Sequence, residues 1–315
     1  MRSRRDTTVV MTDLGSFFFL YFPMILLRRR FRVVRVFFSP ASRTRLDAFM
    51  SASRLKQLGR MMRAAWRERS IRPIVCYGYL MFAARRVALY DPATFTPVPA
   101  DYLCCLGFLR RIPREQINAS ASSSNIHWSL LPKYAGCHPL YWALRNGERE
   151  TGVTIHQINE DYDAGPILLR TAIPIAAGET AADLRPRCRD VSRRLFRRYL
   201  RAKCRCDAAA VPQPVEDATF HRVPPRSELQ LTAGEDADTL RAKFRAAGPG
   251  GCTTPTPEGE RVVLALEDAV RPLPPLLRPV PLGELVAVVA HGPAAGDDPA
   301  SATPATPAPC TTESA

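Results

Sequence analysis

Apolar residues fall along the first half of the chain in short runs separated by basic stretches. TTVVMT at Thr7 to Thr12 is β-branched and apolar and predicts a strand; FRVVRVFF at 31–38 predicts a second, and residues 16–27 between them fit a buried helix. This strand, helix, strand rhythm belongs to an open α/β sheet. The spacing of Leu55, Leu58, Met61, Met62 and Ala65 predicts a helix over 51–69 with a basic outer face. RPIVCYGYLMF (72–82) and PADYLCCLGF (99–108) read as strand and helix material, the latter ending in a turn at Arg110 to Pro113, and ASASSS (119–124) as a loop.

Further along, the punctuation sharpens. In CHPLYWALRNG (137–147), Pro139 suits a first helical position, His138 the cap before it and Gly147 a left-handed stop. TGVTIHQI (151–158) alternates as a strand, and DYDAG makes a tight turn into PILLRTAIPI. A helix over 180–203 carries Leu184, Cys188, Val191, Leu195 and Leu200 on one stripe and a dense set of arginines on the other. After a Pro-rich link near 212, a helix is expected at 238–247 and strands at 259–270 and 283–292. From Pro293 the chain is Ala, Pro, Thr and Ser, a composition that cannot bury a core and reads as disordered. The expected organisation is an α/β domain over 1–205, a small β-rich domain over 206–292 that is barrel-like but short, and a tail over 293–315. The expected fold class is α/β: an open, Rossmann-like, mostly parallel sheet with helices on both faces.

Composition adds one constraint. With 46% hydrophobic and 23% charged residues the chain is an ordinary globular protein, but its formal charge of +14 favours anionic partners such as nucleic acid. The nine cysteines match neither a disulfide framework nor paired zinc-ligand spacing, so a reducing compartment is expected and a metal is not. The apolar run GSFFFLYFPMILL is too short for the roughly 20 residues a membrane span needs. It is followed by RRR and lacks a small-residue cleavage site, so export is not expected. The expected compartment is the cytoplasm, with a mitochondrial location as the alternative.

The chemistry concentrates in NIHWSLLP, 125–132. On a strand, residues two apart share a face, so Asn125 and His127 project together while Ile126 turns to the core. An amide donor beside an imidazole suits a developing oxyanion next to a proton acceptor. A lone Asn-x-His pair is a weak signal by itself.

The wider context is specific. NIHWSLLPKYAG, then HPLYWALRNGE, then ETGVTIHQINEDYDAGPIL resembles the 10-formyltetrahydrofolate-dependent formyltransferase family, strongly over about 100–178, and the interval from His127 to Asp163 fits that family without insertion. The resemblance implies that an acceptor amine attacks a formyl carbon held on folate. Asn125 and a protonated His127 would stabilise the oxyanion, and Asp163 would orient His127 and help remove the amine's proton. It further implies that Gly107, Phe108, Leu109, Ser129, Leu130, Leu131 and Pro132 line the site of the co-substrate 10-formyltetrahydrofolate. Lys133, Arg43 and Arg45 are the expected acceptor contacts. His138 and His156 are set aside, the first as a cap and the second as an alternating strand residue.

The resemblance leaves two acceptors open, the amino group of methionyl-tRNA and a nucleotide-linked amino sugar. Net charge, the arginine-rich helix and the C-terminal segment favour tRNA. SPASRTRLDAF supplies Arg43 and Arg45 but lacks the Pro-Val-Lys element of the tRNA enzymes, which weighs against it. A non-catalytic, RNA-binding descendant of the fold and hydrolysis of the formyl donor by water are the readings from other classes. No membrane partner is expected.

Overall fold

The computed structural model describes residues 6–13, 16, 31–43, 59, 62–63, 66, 87–108, 110–205, 209–267 and 277–290. All but the first residue of the expected helix over 16–27, most of that over 51–69, the segment 72–82 and the tail over 293–315 lie outside the described residues, as do Leu109 and Arg45.

In chain order the elements are β1 (Asp6–Thr12), β2 (Phe31–Phe38), β3 (Val87–Leu89), β4 (Tyr102–Leu106), α1 (Arg114–Asn118), β5 (Ser123–His127), β6 (Ala135–Gly136), α2 (Pro139–Arg145), β7 (Glu150–His156), β8 (Ile167–Pro174), α3 (Ala181–Cys204), β9 (Phe220–His221), α4 (Ala237–Ala247), β10 (Cys252–Thr256), β11 (Gly259–Glu267), β12 (Leu277–Leu282) and β13 (Leu285–Ala290). Seven strands form one sheet in the order β3-β2-β1-β4-β5-β7-β8. The pairs from β3 through β5 are parallel, and β7 joins β5 antiparallel. The expected mostly parallel α/β sheet is therefore present. The expected loop over 119–124 gives way to β5 two residues early, because Ser123 and Ser124 pair with Leu103 and Cys104.

Both faces of the central strands are covered, which is why they read as continuous apolar runs. Val9, Met11, Leu103, Cys105 and Phe108 pack with Phe37 and Tyr90 in one buried cluster. On α3, Phe196, Tyr199 and Leu200 are buried, Tyr199 lies 6.3 Å ring to ring from Tyr102, and the Lys203 ammonium sits 5.0 Å over the Tyr102 ring. Burial pushes the Cys104 thiol up to about 12, so it is a protonated packing group and not a nucleophile.

The chain leaves β1 for β2 on one side and returns in β4 on the other. The carboxyl ends of β1 and β4 thus flank a topological switch point, where open α/β sheets form their binding crevice. Thr12 ties these ends together by donating its hydroxyl to the Leu106 carbonyl at 2.8 Å.

The chain divides into two compact units: described residues within Met1–Pro132, Val153–Thr171 and Arg189–Ala218 form one, and those within Lys133–Gly152, Ala172–Cys188 and Thr219–Ala315 the other. The second contains an antiparallel sheet, β10-β11-β13-β12, over a core of Leu231, Leu240, Cys252, Val263, Leu285 and Val289. α4 is capped by Asp236, whose carboxylate accepts from the Thr239 amide at 2.8 Å. Among the described residues no helix is long and apolar enough to cross a membrane.

Candidate active site

Antiparallel pairing sets Asn125 opposite His156 and His127 opposite Thr154. Directly opposed residues share a face, so four polar side chains from two strands stand together at the end of β5. Asp163 reaches them from the turn between β7 and β8. Its carboxylate is bracketed: Oδ1 accepts from Asn125 Nδ2 at 3.0 Å and lies 3.3 Å from His156 Nε2, while Oδ2 lies 3.4 Å from His127 Nδ1. All these groups belong to the first unit, and the histidine and aspartate side chains are nearly closed off from solvent at 3 to 12% exposure. In such a setting charge–charge and charge–dipole attractions are much stronger than in water.

The sequence reading set His156 aside, and the structure places it inside the cluster. Its Nδ1 is 2.7 Å from the Gln157 carbonyl oxygen, an acceptor only, so Nδ1 carries the hydrogen. In the neutral ring Nε2 is then an acceptor, matched to the Asn125 amide 3.1 Å away. Both amide hydrogens of Asn125 are accordingly directed, one to Asp163 and one to His156. His127 turns Nδ1 toward Asp163, which leaves Nε2 as the nitrogen not aimed at the carboxylate. The period-two alternation of TGVTIH contained the signal for Thr154 and His156; the missing information was which strand they face.

Asp163 adopts a left-handed backbone, φ 54°, which Asp tolerates better than most residues but which its surroundings must hold. They do so from two sides. Gln213 Nε2 donates to the carbonyls of Asp163 and Gly165 at 2.8 and 2.7 Å, and the Arg111 guanidinium donates to the Glu160 carbonyl. A Cβ on Gly165 would lie 2.0 Å from the Gln157 carbonyl oxygen, so the turn closes only because that residue is glycine. Gln213 carried no motif and was not singled out from the sequence.

The expected donor-site residues divide by burial. Ser129 and Leu131 are fully buried: Thr154 donates to the Ser129 carbonyl at 2.7 Å and accepts from the Leu131 amide at 3.2 Å, and Arg170 donates to the Leu131 carbonyl at 2.7 Å. This network braces the turn that follows His127. Leu130 is half-buried, Pro132 is buried, and the Leu131–Pro132 bond is cis. Gly107 has φ 61°, and a Cβ there would lie 2.2 Å from Asp13 Oδ2, so the backbone runs hard against the end of β1; Phe108 is buried beside it. Lys133 and Arg43 are exposed. His138 occupies the position before α2 but its side chain makes no capping hydrogen bond, which corrects that expectation; burial, with Arg185 nearby, lowers its pKa and favours the neutral ring. Among the described residues no group of three or more His, Cys, Asp or Glu side chains is placed to hold a metal.

Comparison with known proteins finds partial matches that include these residues. Residues 89–200 match the formyl transferase family. A methionyl-tRNA formyltransferase of Parvibaculum lavamentivorans is 37% identical over 40% of this chain and 40% of its own length, and that of Aromatoleum aromaticum 31% identical over 50% of each. The chain thus spans at most about half the length of these curated relatives. Among solved structures, a 4-N formyltransferase from Francisella tularensis superposes with a TM-score of 0.62 at 14% identity, covering 82% of this chain and 95% of its own. HypX from Aquifex aeolicus in complex with tetrahydrofolic acid superposes with a TM-score of 0.58 at 15% identity, covering 90% of this chain and 44% of its own. At these identities the superpositions establish the shared fold.

Proposed function

From the match of residues 89–200 to the formyl transferase family, we propose that this chain is an enzyme transferring the formyl group of 10-formyltetrahydrofolate to a primary amine, and that the amine is the amino group of methionyl-tRNA. The observation that carries the reading is the Asp163 carboxylate bracketed by Asn125, His127 and His156.

The amine nitrogen attacks the formyl carbon, the carbonyl oxygen gains negative charge, and the amine must lose a proton. His127, with Nδ1 toward Asp163, presents Nε2 to the oxyanion as a charge-assisted donor. Asp163 favours the imidazolium and accepts the amine's proton, directly or through water. Collapse of the tetrahedral intermediate breaks the bond to the folate nitrogen, which leaves with a proton as tetrahydrofolate. Asn125 contributes the second donor by exchanging its hydrogen bond to His156 for one to the oxyanion. No covalent enzyme intermediate is required.

The curated relatives named above support tRNA as the acceptor, and so does the +14 charge. The superposition on a sugar N-formyltransferase from a Shewanella species, which covers 84% of this chain at a TM-score of 0.61 and 14% identity, supports the amino-sugar reading as the second candidate. Incubating the protein with 10-formyltetrahydrofolate and, in parallel, methionyl-tRNA, an amino-sugar nucleotide mixture or buffer alone separates the readings. Tetrahydrofolate release that depends on methionyl-tRNA is the expected result. Release that depends on the sugar pool would replace the acceptor, and release in buffer alone would make the reaction a hydrolysis.

A further inference from the structure

Five arginines on α3 and the residue after it, Arg194, Arg197, Arg198, Arg201 and Arg205, line one shared groove of about 390 Å³. At 100° per residue they fall within an arc of about 100°, and from first to last they extend along roughly 17 Å of helix axis. All five are exposed and lie in the first unit. Flanking arginines are neutralised, Arg187 by Glu179 and Arg193 by Asp190, whereas Arg194, Arg197, Arg198 and Arg201 have no carboxylate partner among the described residues. Packing four such charges side by side opposes folding through mutual repulsion, and no carboxylate among the described residues pairs with them to offset it.

We propose that this arginine stripe is a docking surface for the sugar-phosphate backbone of RNA. The guanidinium fork matches phosphate oxygens in pairs, and a 17 Å row covers on the order of five phosphates of one strand of a duplex. An anionic bilayer fits less well, because the apolar face of α3 that could enter it, including Leu195, Phe196 and Leu200, is buried against the sheet. An acidic protein fits less well too, since the stripe holds no aromatic or apolar anchor. The opposite face of α3 fixes its position: Trp128, next to His127, donates its indole N–H to Ser192 at 2.9 Å, and Lys203 donates to Ser122, the residue before β5. The stripe therefore begins beside the catalytic end of the sheet and runs away from it. A macromolecular acceptor held along the stripe would have its reactive end at the Arg194 side.

This inference rests on the reading that the acceptor is a charged tRNA. Its test uses the full chain and the variant R194Q/R197Q/R198Q/R201Q, glutamine being a good helix former. Binding of deacylated methionine tRNA is followed by fluorescence anisotropy across a salt series, alongside phosphatidylserine vesicles and the KM for methionyl-tRNA. The expected result is that the slope of log affinity against log salt falls by about 3, at 0.7 to 0.9 per lost contact, with affinity at low salt down on the order of 10- to 100-fold and the unfolding midpoint no lower than the parent's, since the mutual repulsion is relieved. Should the quadruple variant not fold, Arg194→Gln and Arg201→Gln singly each lower the slope by about 0.8. Unchanged affinity and slope would overturn the proposal, as would failure of the parent protein to bind tRNA, or a loss confined to vesicles. A tRNA bound through the stripe yet never formylated sinks the acceptor reading and leaves the docking surface; formylation with the same KM in both proteins does the reverse.

Discussion

His156 and Asp163 face each other across 3.3 Å, on the far side of the carboxylate from His127. Because Nδ1 of His156 is committed to the Gln157 carbonyl, the neutral ring offers Nε2 as an acceptor to the Asn125 amide 3.1 Å away, while that amide also donates to Asp163. The ring thereby helps to fix the orientation of the amide.

Replacing His156 by Leu roughly keeps the volume and removes the ring's hydrogen bonds. The expected outcome is a kcat about 10- to 100-fold lower with the KM for the formyl donor little changed, since the lost contacts matter most once charge develops. Unfolding by urea should show a destabilisation of about 1–3 kcal/mol from the buried polar groups left behind. A variant with unaltered kcat would make His156 a packing residue.

Gln213 lies outside the cluster around Asp163 yet holds the backbone on both sides of Ala164. Gln213→Ala should lower kcat about 10-fold by loosening the left-handed Asp163, with little change in unfolding midpoint because Gln213 is partly exposed. Faster hydrogen exchange confined to residues 160–166 is the accompanying signature. Global loosening would show that the side chain serves the fold and not the turn.

Gly165→Ala places a methyl within 2.0 Å of a backbone oxygen. Backbone cannot swing aside as a flexible side chain can, so the substitution should abolish transfer and lower the unfolding midpoint. Gly147→Ala is the control: its φ of 71° is unfavourable but no atom lies within 4 Å of the new methyl, and a loss of about 1 kcal/mol without loss of activity is expected. Steady-state assay and thermal melts of both variants decide the matter.

In the second unit, Glu228 accepts from Arg145 at 2.8 Å and from the Tyr141 hydroxyl at 3.2 Å. Burial works to raise its pKa, but the Arg145 and Tyr141 contacts together outweigh it and hold the carboxyl below its usual value. The stabilisation is therefore complete above the unfolded value near 4.3 and disappears as pH falls through the lower folded value. Melting midpoints between pH 6 and 3 should fall more steeply for the parent protein than for Glu228→Gln, which is less stable at pH 6. Parallel curves would count against the pairing.

The sequence was most informative where one physical cause acts alone. β2 was delimited to the residue by β-branched and aromatic alternation, and α2 by Pro139 and Gly147. β10 and β12 went unread because Pro255, Pro279 and Pro281 argue against strands. The sheet order explains their presence: both are edge strands, where a missing N–H costs little. In the site, Asn125, His127 and Asp163 were named through the resemblance, and their distances now follow from the fold. His156 and Gln213 were hidden for one reason. Each acts through a partner remote in the chain, and neither pairing leaves a periodicity.

The central claim is that Asp163 takes part in the chemistry, and not only in the packing, of formyl transfer to methionyl-tRNA. It is tested most directly by single-turnover release of tetrahydrofolate in Asp163→Asn, a change that keeps shape and removes charge, with binding of 10-formyltetrahydrofolate measured in parallel. The account predicts donor binding close to that of the parent protein and a transfer rate lower by about 10²- to 10⁴-fold. An Asp163→Asn variant that binds the donor and transfers the formyl group at the parent rate would contradict it.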